Sequence, residues 1–151
     1  GKKAAFLALL LDMAKGGVAV AVGIHGFASV PWLTPALALA AFVGHLYPVY
    51  LGFKGGKGVA TALGIVLVWT PLVGLLALLT WLLVAVVMRI SSLAALVAFV
   101  VLPGLEYFLG NDEALLVSLI MMPIIFWRHR ENVVRLLRGT EPRIGKKGSA
   151  Q

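Results

Sequence analysis

Between Ala4 and Trp127 the chain is a succession of apolar stretches broken only by short polar turns. This pattern constrains the fold more than any single residue. A helix needs about 20 mostly apolar residues to cross a bilayer, with a range of roughly 17–25. Six segments are candidates: 4–24, 33–50, 58–70, 71–88, 91–109 and 114–127, of which the third and sixth are short. Composition agrees. Hydrophobic residues make up 61% of the chain and charged residues 13%, against roughly 45–50% and about 25% in a soluble domain. A soluble chain so poor in polar residues could not cover its own surface. The expected fold is therefore an all-α polytopic membrane protein, a bundle of six transmembrane helices. Residues 1–138 form its membrane domain, and 139–151 a disordered cytoplasmic tail.

The segment 58–88 is divided by Trp69-Thr70-Pro71. Proline removes a backbone donor and disfavours helix at the preceding residue. Two short helices joined at Thr70-Pro71 are expected, with one long kinked helix as the alternative. Charge favours two. With six spans, loops 25–32, 70–71 and 110–113 share one side and carry no Lys or Arg. The other side receives Lys2, Lys3, Lys54, Lys57, Arg89, Arg128, Arg130, Arg135, Arg138, Arg143, Lys146 and Lys147, every basic residue except Lys15. The positive-inside rule makes that side cytoplasmic, with both ends of the chain there. The net charge of +7 does not point to nucleic acid, because the basic residues sit at the ends of apolar runs. An anionic leaflet and anionic substrates are the expected partners. The chain has no cysteine, which removes disulfides, thiolate metal sites and a cysteine nucleophile.

The strongest chemical signal is Gly44-His45-Leu46-Tyr47-Pro48 followed by Gly52-Phe53-Lys54-Gly55-Gly56-Lys57-Gly58-Val59-Ala60-Thr61. Glycines let backbone N–H groups face a ligand at close range. A helix starting near Val59 points its N-terminal dipole into the same loop, and lysines add point charge. The reading is a phosphate cradle, or else a flexible basic turn. It is not a Walker loop, since Leu51 and Gly58 stand where that motif needs Gly and Ser/Thr. A second signal, Trp127-Arg128-His129-Arg130-Glu131-Asn132, leads into Arg135-Leu136-Leu137-Arg138-Gly139-Thr140-Glu141. His129 and Asn132 share a helical face. They either reach a reacting group together or belong to a basic helix end at the headgroups. Asp12 and Lys15 lie inside the first span, at the same i, i+3 spacing, as a functional pair or a self-satisfied one. Arg89, with Ser91 and Ser92 behind it, binds phosphate or anchors its helix. Glu106 is expected at the outer interface. No zinc-ligand spacing and no Ser-His-Asp set is present.

Gly44 through Thr61 and His129 through Glu141 closely resemble two signature motifs of the bacterial acyl-phosphate:glycerol-3-phosphate acyltransferases, the PlsY family. Leu11-Asp12-x-x-Lys15-Gly16 and Arg89-x-Ser91-Ser92-Leu93 also look familial, and the likeness spans nearly the whole chain. The resemblance implies a seven-helix fold in the bacterial inner membrane with its active site at the cytoplasmic face. It implies transfer of a fatty acyl group from acyl phosphate to the 1-hydroxyl of glycerol 3-phosphate, giving lysophosphatidic acid without a cofactor or metal. The implied partners are these two substrates, membrane lipids and the soluble enzyme that supplies acyl phosphate. The implied phosphate site is Lys54, Gly55, Gly56, Lys57 and Gly58, with His45 beside it. His129, Asn132 and Lys57 are the implied catalytic residues. A structural Glu falls on Glu131 or Glu141, and Asp12, Lys15, Arg89 and Ser91 are supporting candidates. The base is His129 or a substrate phosphate.

The resemblance also places a Gly-Ser-Gly-Asn loop, a following Arg and one more span ahead of Gly1. The sequence is thus expected to begin partway through a longer protein, and residues 1–151 alone are expected to be inactive. Two other readings stay open, a transporter for a phosphorylated metabolite and a non-catalytic membrane subunit. A transporter usually carries broken helices at midplane and repeated halves.

Overall fold

The computed structural model describes residues 1–145, apart from the side chains of Lys2 and Tyr50. Lys146 and Lys147 lie outside the described residues. The described chain is helical, with no strand. Helix α1 (Lys2–Ala21) ends in a π turn, Val22–Gly26. Then come α2 (Leu33–Leu46), a 3-10 turn Val49–Leu51, α3 (Val59–Trp69), α4 (Pro71–Met88), α5 (Ser91–Leu109), α6 (Asp112–Arg128) and the short α7 (Arg130–Leu137).

Helices α1 to α6 follow the six expected spans, but three alone have the length and apolarity to cross a membrane: Lys3–Gly26, Pro71–Met88 and Ser91–Leu109. Helix α2 stops at Leu46 and not at Tyr50, because Pro48 pushes Tyr47 out of the helical region (φ −131, ψ 58). At 1.5 Å per residue, α2 and α3 extend only about 21 and 16 Å. Between α3 and α4 the chain turns at Thr70 (φ −130, ψ 76), with Pro71 opening α4. The two helices fold back on each other so closely that a Cβ on Gly74 would strike the backbone of Leu67. The alternative of one kinked helix over 58–88 is excluded. Asn111 caps α6, its side chain accepting from the Ala114 N–H at 2.9 Å.

The core is formed by Val20, Phe42, Leu46, Ile65, Val73, Leu102, Val117, Met121 and Ile125. Small residues set the approach of α1 to α3. A Cβ on Gly64 would run into the Met13 carbonyl, and one on Gly16 into the Thr61 carbonyl. Packing through glycine is how helices associate where no hydrophobic effect drives them together. Large apolar side chains face outward around the bundle: Phe108 is 80% exposed and Val86 73%. A water-soluble surface seldom carries so much contiguous apolar area, whereas lipid covers it without cost.

Two expectations change. Glu106 is buried in α5, where the Thr70 hydroxyl donates to its carboxylate at 2.7 Å and ties the α3–α4 turn to α5. The tail expected to be disordered from 139 is packed on the bundle as far as Gly145. Gly139 turns it back with φ +68. The Ile144 N–H donates to the Arg89 carbonyl at 2.6 Å, and Arg89 in turn donates to the Ile144 carbonyl.

Candidate active site

The glycine-lysine loop is shaped by a few steric necessities. Gly52 and Phe53 both take left-handed φ, +59 and +63, to reverse the chain after the 3-10 turn. The Gly55 N–H donates to the Leu46 carbonyl at 3.1 Å, and a Cβ on Gly55 would collide with the carbonyls of His45 and Leu46. Gly58 starts α3 with φ +86, pressed against the Phe42 ring. Arg128, from the end of α6, donates to the carbonyls of Gly55 and Gly56 at 2.8 and 2.9 Å. Its guanidinium lies 5.5 Å from the centre of the Tyr47 ring. With those carbonyls held by Arg128, the N–H groups of Gly56 through Ala60 have no protein acceptor among the described residues. All five of these residues line one cavity of about 590 Å³. They are the free donors at a helix N-terminus, an anion site by geometry.

A second wall comes from the join of α6 and α7. His129 and Asn132 are buried there and line the same cavity. His129 Nδ1 lies 2.8 Å from the Ile125 carbonyl. A carbonyl only accepts, so Nδ1 carries the proton and Nε2 presents a lone pair. Burial holds His129 below the usual histidine range, and the Lys57 ammonium adds to this, against the opposing pull of the Ile125 carbonyl and Glu141. Lys57 crosses the cavity and donates to Asn132 Oδ1 at 2.6 Å. The Asn132 amide donates in turn to Glu141. Glu141 also accepts from Ser92 at 2.6 Å and from Arg135 at 2.7 Å. Burial pushes its carboxyl up, but these three donors and the Arg135 charge outweigh burial and hold it below the ordinary value.

The third wall is made by α1 and α2. Lys15 donates to Asp12 Oδ1 at 2.7 Å and also reaches His45 Nδ1. Asp12 and His45 both line the cavity. Leu9, Val59, Trp81 and Ala95 give it an apolar side.

The sequence profile of the glycerol-3-phosphate acyltransferase family matches residues 1–139. The chain belongs to that family. The acyltransferase of Thioalkalivibrio sulfidiphilus is 52% identical over 147 residues, 97% of this chain and 72% of that one. The Methylococcus capsulatus acyltransferase is 49% identical over 148 residues, 97% and 74% of the two chains. Two crystal structures of PlsY (YgiH), an integral membrane glycerol 3-phosphate acyltransferase, superpose with TM-scores of 0.91 at 39% identity. One is a lysophosphatidic acid form and the other a glycerol 3-phosphate form. Each comparison covers 96% of this chain, and 74% and 73% of those chains respectively. This acyltransferase is accordingly a multi-pass membrane protein.

In this member of the acyltransferase family, the cavity gathers His129, Asn132, Lys57, Gly56, Gly58, His45, Asp12, Ser91 and Glu141 from the residues singled out in the sequence. Others lie elsewhere. Lys54 is exposed and does not line the cavity. Gly55 serves the loop's fold, and Lys15 acts on its neighbours from outside the lining. Arg89 ends α4 with φ +58 and clasps Ile144, an anchor. Glu131 is exposed, and Glu141 is the glutamate in the site. Sequence reasoning missed Arg128 as a clamp on the loop, Ser92 as a donor to Glu141, and Trp81 and Arg143 as lining residues. Arg128 had a visible signal in its place at the end of a span. Trp81 had none, one aromatic residue inside an apolar helix.

Proposed function

We propose that the protein transfers a fatty acyl group from acyl phosphate to the 1-hydroxyl of glycerol 3-phosphate, giving lysophosphatidic acid for phospholipid synthesis. The observation that carries this reading is the meeting, in one cavity, of the free amides at the start of α3, the Lys57 ammonium and the Nε2 lone pair of His129. In this reading the amides and Lys57 hold the phosphate of glycerol 3-phosphate. Lys57 and Asn132, already bonded, set each other's position. The apolar side formed by Leu9, Val59, Trp81 and Ala95 takes the start of the acyl chain.

The chemistry then needs orientation more than a covalent intermediate, because an acyl phosphate is already activated. The 1-hydroxyl oxygen bonds to the carbonyl carbon, the bond from that carbon to the phosphate oxygen breaks, and the electron pair leaves on phosphate. The departing phosphate gains a negative charge, so it is a stronger base than a buried histidine with lowered proton affinity. It takes the hydroxyl proton. His129 accepts a hydrogen bond from the hydroxyl through Nε2 and aims it. Fixed cationic and N–H donors offset the charge growing on the leaving group.

The charge asymmetry of the loops supports a cytoplasmic cavity in a bacterial inner membrane, since the positive-inside rule assigns the basic side to the cytoplasm. The test uses the full-length protein in proteoliposomes with acyl phosphate and labelled glycerol 3-phosphate. Lysophosphatidic acid and inorganic phosphate are expected in equal amounts. Product formed only from acyl-CoA or acyl carrier protein would overturn the donor assignment. Labelled glycerol 3-phosphate entering the lumen unacylated would favour the transporter.

A further inference from the structure

The two histidines of the cavity face it with opposite hydrogen-bonding character. His129 gives its Nδ1 proton to a carbonyl and turns a lone pair inward. His45 is constrained from the other end. Lys15 Nζ lies within hydrogen-bond distance of His45 Nδ1 and at 2.7 Å from Asp12 Oδ1. An ammonium only donates, so Nδ1 must supply the lone pair and the neutral ring keeps its proton on Nε2. An imidazolium, or the other tautomer, would set two donors against each other. Asp12 sits farther from Nδ1, at 3.4 Å. Its carboxylate balances the Lys15 charge and does not claim a ring proton. The His45 side chain is only 11% exposed, and its Nε2 lies so near Gly56 that a Cβ there would collide with it. The Nε2–H is therefore placed beside the first of the free loop amides.

We propose that Lys15 is a positioning residue that fixes His45 as the Nε2–H tautomer, and that His45 donates this hydrogen bond to the phosphate held at Gly56. The phosphate part of this inference rests on the acyl-transfer reading above. It gives the half-exposed Asp12–Lys15 ion pair of the first span a use beyond its own neutralisation. One histidine donates to the phosphate while the other accepts from the hydroxyl, so a single substrate is held at both ends.

The experiment is ring-15N-histidine NMR of the protein in nanodiscs without substrate, where two-bond couplings distinguish the tautomers. The chain has three histidines, and His25→Gln assigns the one outside the cavity. His45 is expected as Nε2–H and His129 as Nδ1–H. Lys15→Met should convert His45 largely to the Nδ1–H tautomer, its proton turned toward Asp12 Oδ1, while leaving His129 unchanged. Lys15→Arg, which keeps a donor-only cation, should preserve the native pattern. In the acylation assay Lys15→Met should raise the KM for glycerol 3-phosphate roughly ten- to hundredfold, the range of one hydrogen bond to a charged group, with kcat little changed. A wild-type His45 found as Nδ1–H or as imidazolium overturns the proposal, and so does a tautomer indifferent to Lys15→Met. The NMR measurement needs no substrate. The expected ring pattern in a protein that acylates nothing would sink the functional reading and leave the Lys15–His45 arrangement standing.

Discussion

Glu141 shows how much one side chain fixes at this site. It takes hydrogen bonds from α5 through Ser92 and from α7 through Asn132 and Arg135. Replacing it by Gln removes the charge and turns one acceptor into a donor. Each charge-assisted bond lost costs about 1.5–3 kcal/mol, so Glu141→Gln should lower the Tm in detergent and loosen Asn132, reducing kcat as well. The folded carboxyl lies below its ordinary value of 4.5. Its stabilisation is thus fully present above that value and is lost as pH falls through the folded one. Thermal scans from neutral pH into acid should show this loss in the wild type and a flatter profile in Glu141→Gln. At Gly56 a methyl meets the His45 ring, so Gly56→Ala should chiefly raise the KM for glycerol 3-phosphate. A raised KM for acyl phosphate alone would move the phosphate site elsewhere. The meeting of Lys57, His129 and Asn132 in one cavity was legible through the two motifs and their family resemblance, since spacing alone left a basic turn and a basic helix end open. The choice between Glu131 and Glu141 was not, because it depends on a chain reversal at Gly139. Lys54 looked equivalent to Lys57, yet the left-handed turn at Gly52-Phe53 leaves it outside.

Among the elements, the contact of α1 with α3 is the one that tolerates least. Gly64→Val would force side-chain atoms into the Met13 backbone. Overpacking costs typically about 1–3 kcal/mol, and a clash with backbone lies at the upper end. The variant should unfold at lower temperature, whereas Gly44→Ala, facing open space, should leave the Tm unchanged. Equal Tm values for the two would refute the packing argument. The boundary at Pro71 was readable because proline sets it, whereas α6 starts at Asp112 behind its Asn111 cap, two residues ahead of the expected span. Helix α2 was read too long because Tyr47 through Tyr50 are apolar enough to continue a span and only Pro48 objects. The Thr70–Glu106 pair was unreadable, since the residues are 36 positions apart and each looks ordinary at its own helix end.

For the whole molecule, the charge distribution predicts an orientation that the absence of cysteine makes easy to test. Glu113→Cys and Arg138→Cys would each carry the only thiol. In intact cells a membrane-impermeant maleimide should label position 113 at once and position 138 only after permeabilisation; the reverse order would invert the topology. The all-helical membrane class was plain from the apolar runs, while the joining of distant segments into one cavity was not. That cavity draws on Leu9 at one extreme and Ile144 at the other. During synthesis the early helices insert and pair while the ribosome is still translating, since chains fold progressively from the N-terminal side. Lys57 then has no Asn132 to meet, and the loop has no Arg128 to clamp it. On the proposed reading, in which Lys57, His129 and Asn132 carry the reaction, chemistry waits until α7 and the segment behind it have emerged. A growing polypeptide in the membrane is accordingly silent, and activity arrives in one late step rather than by degrees.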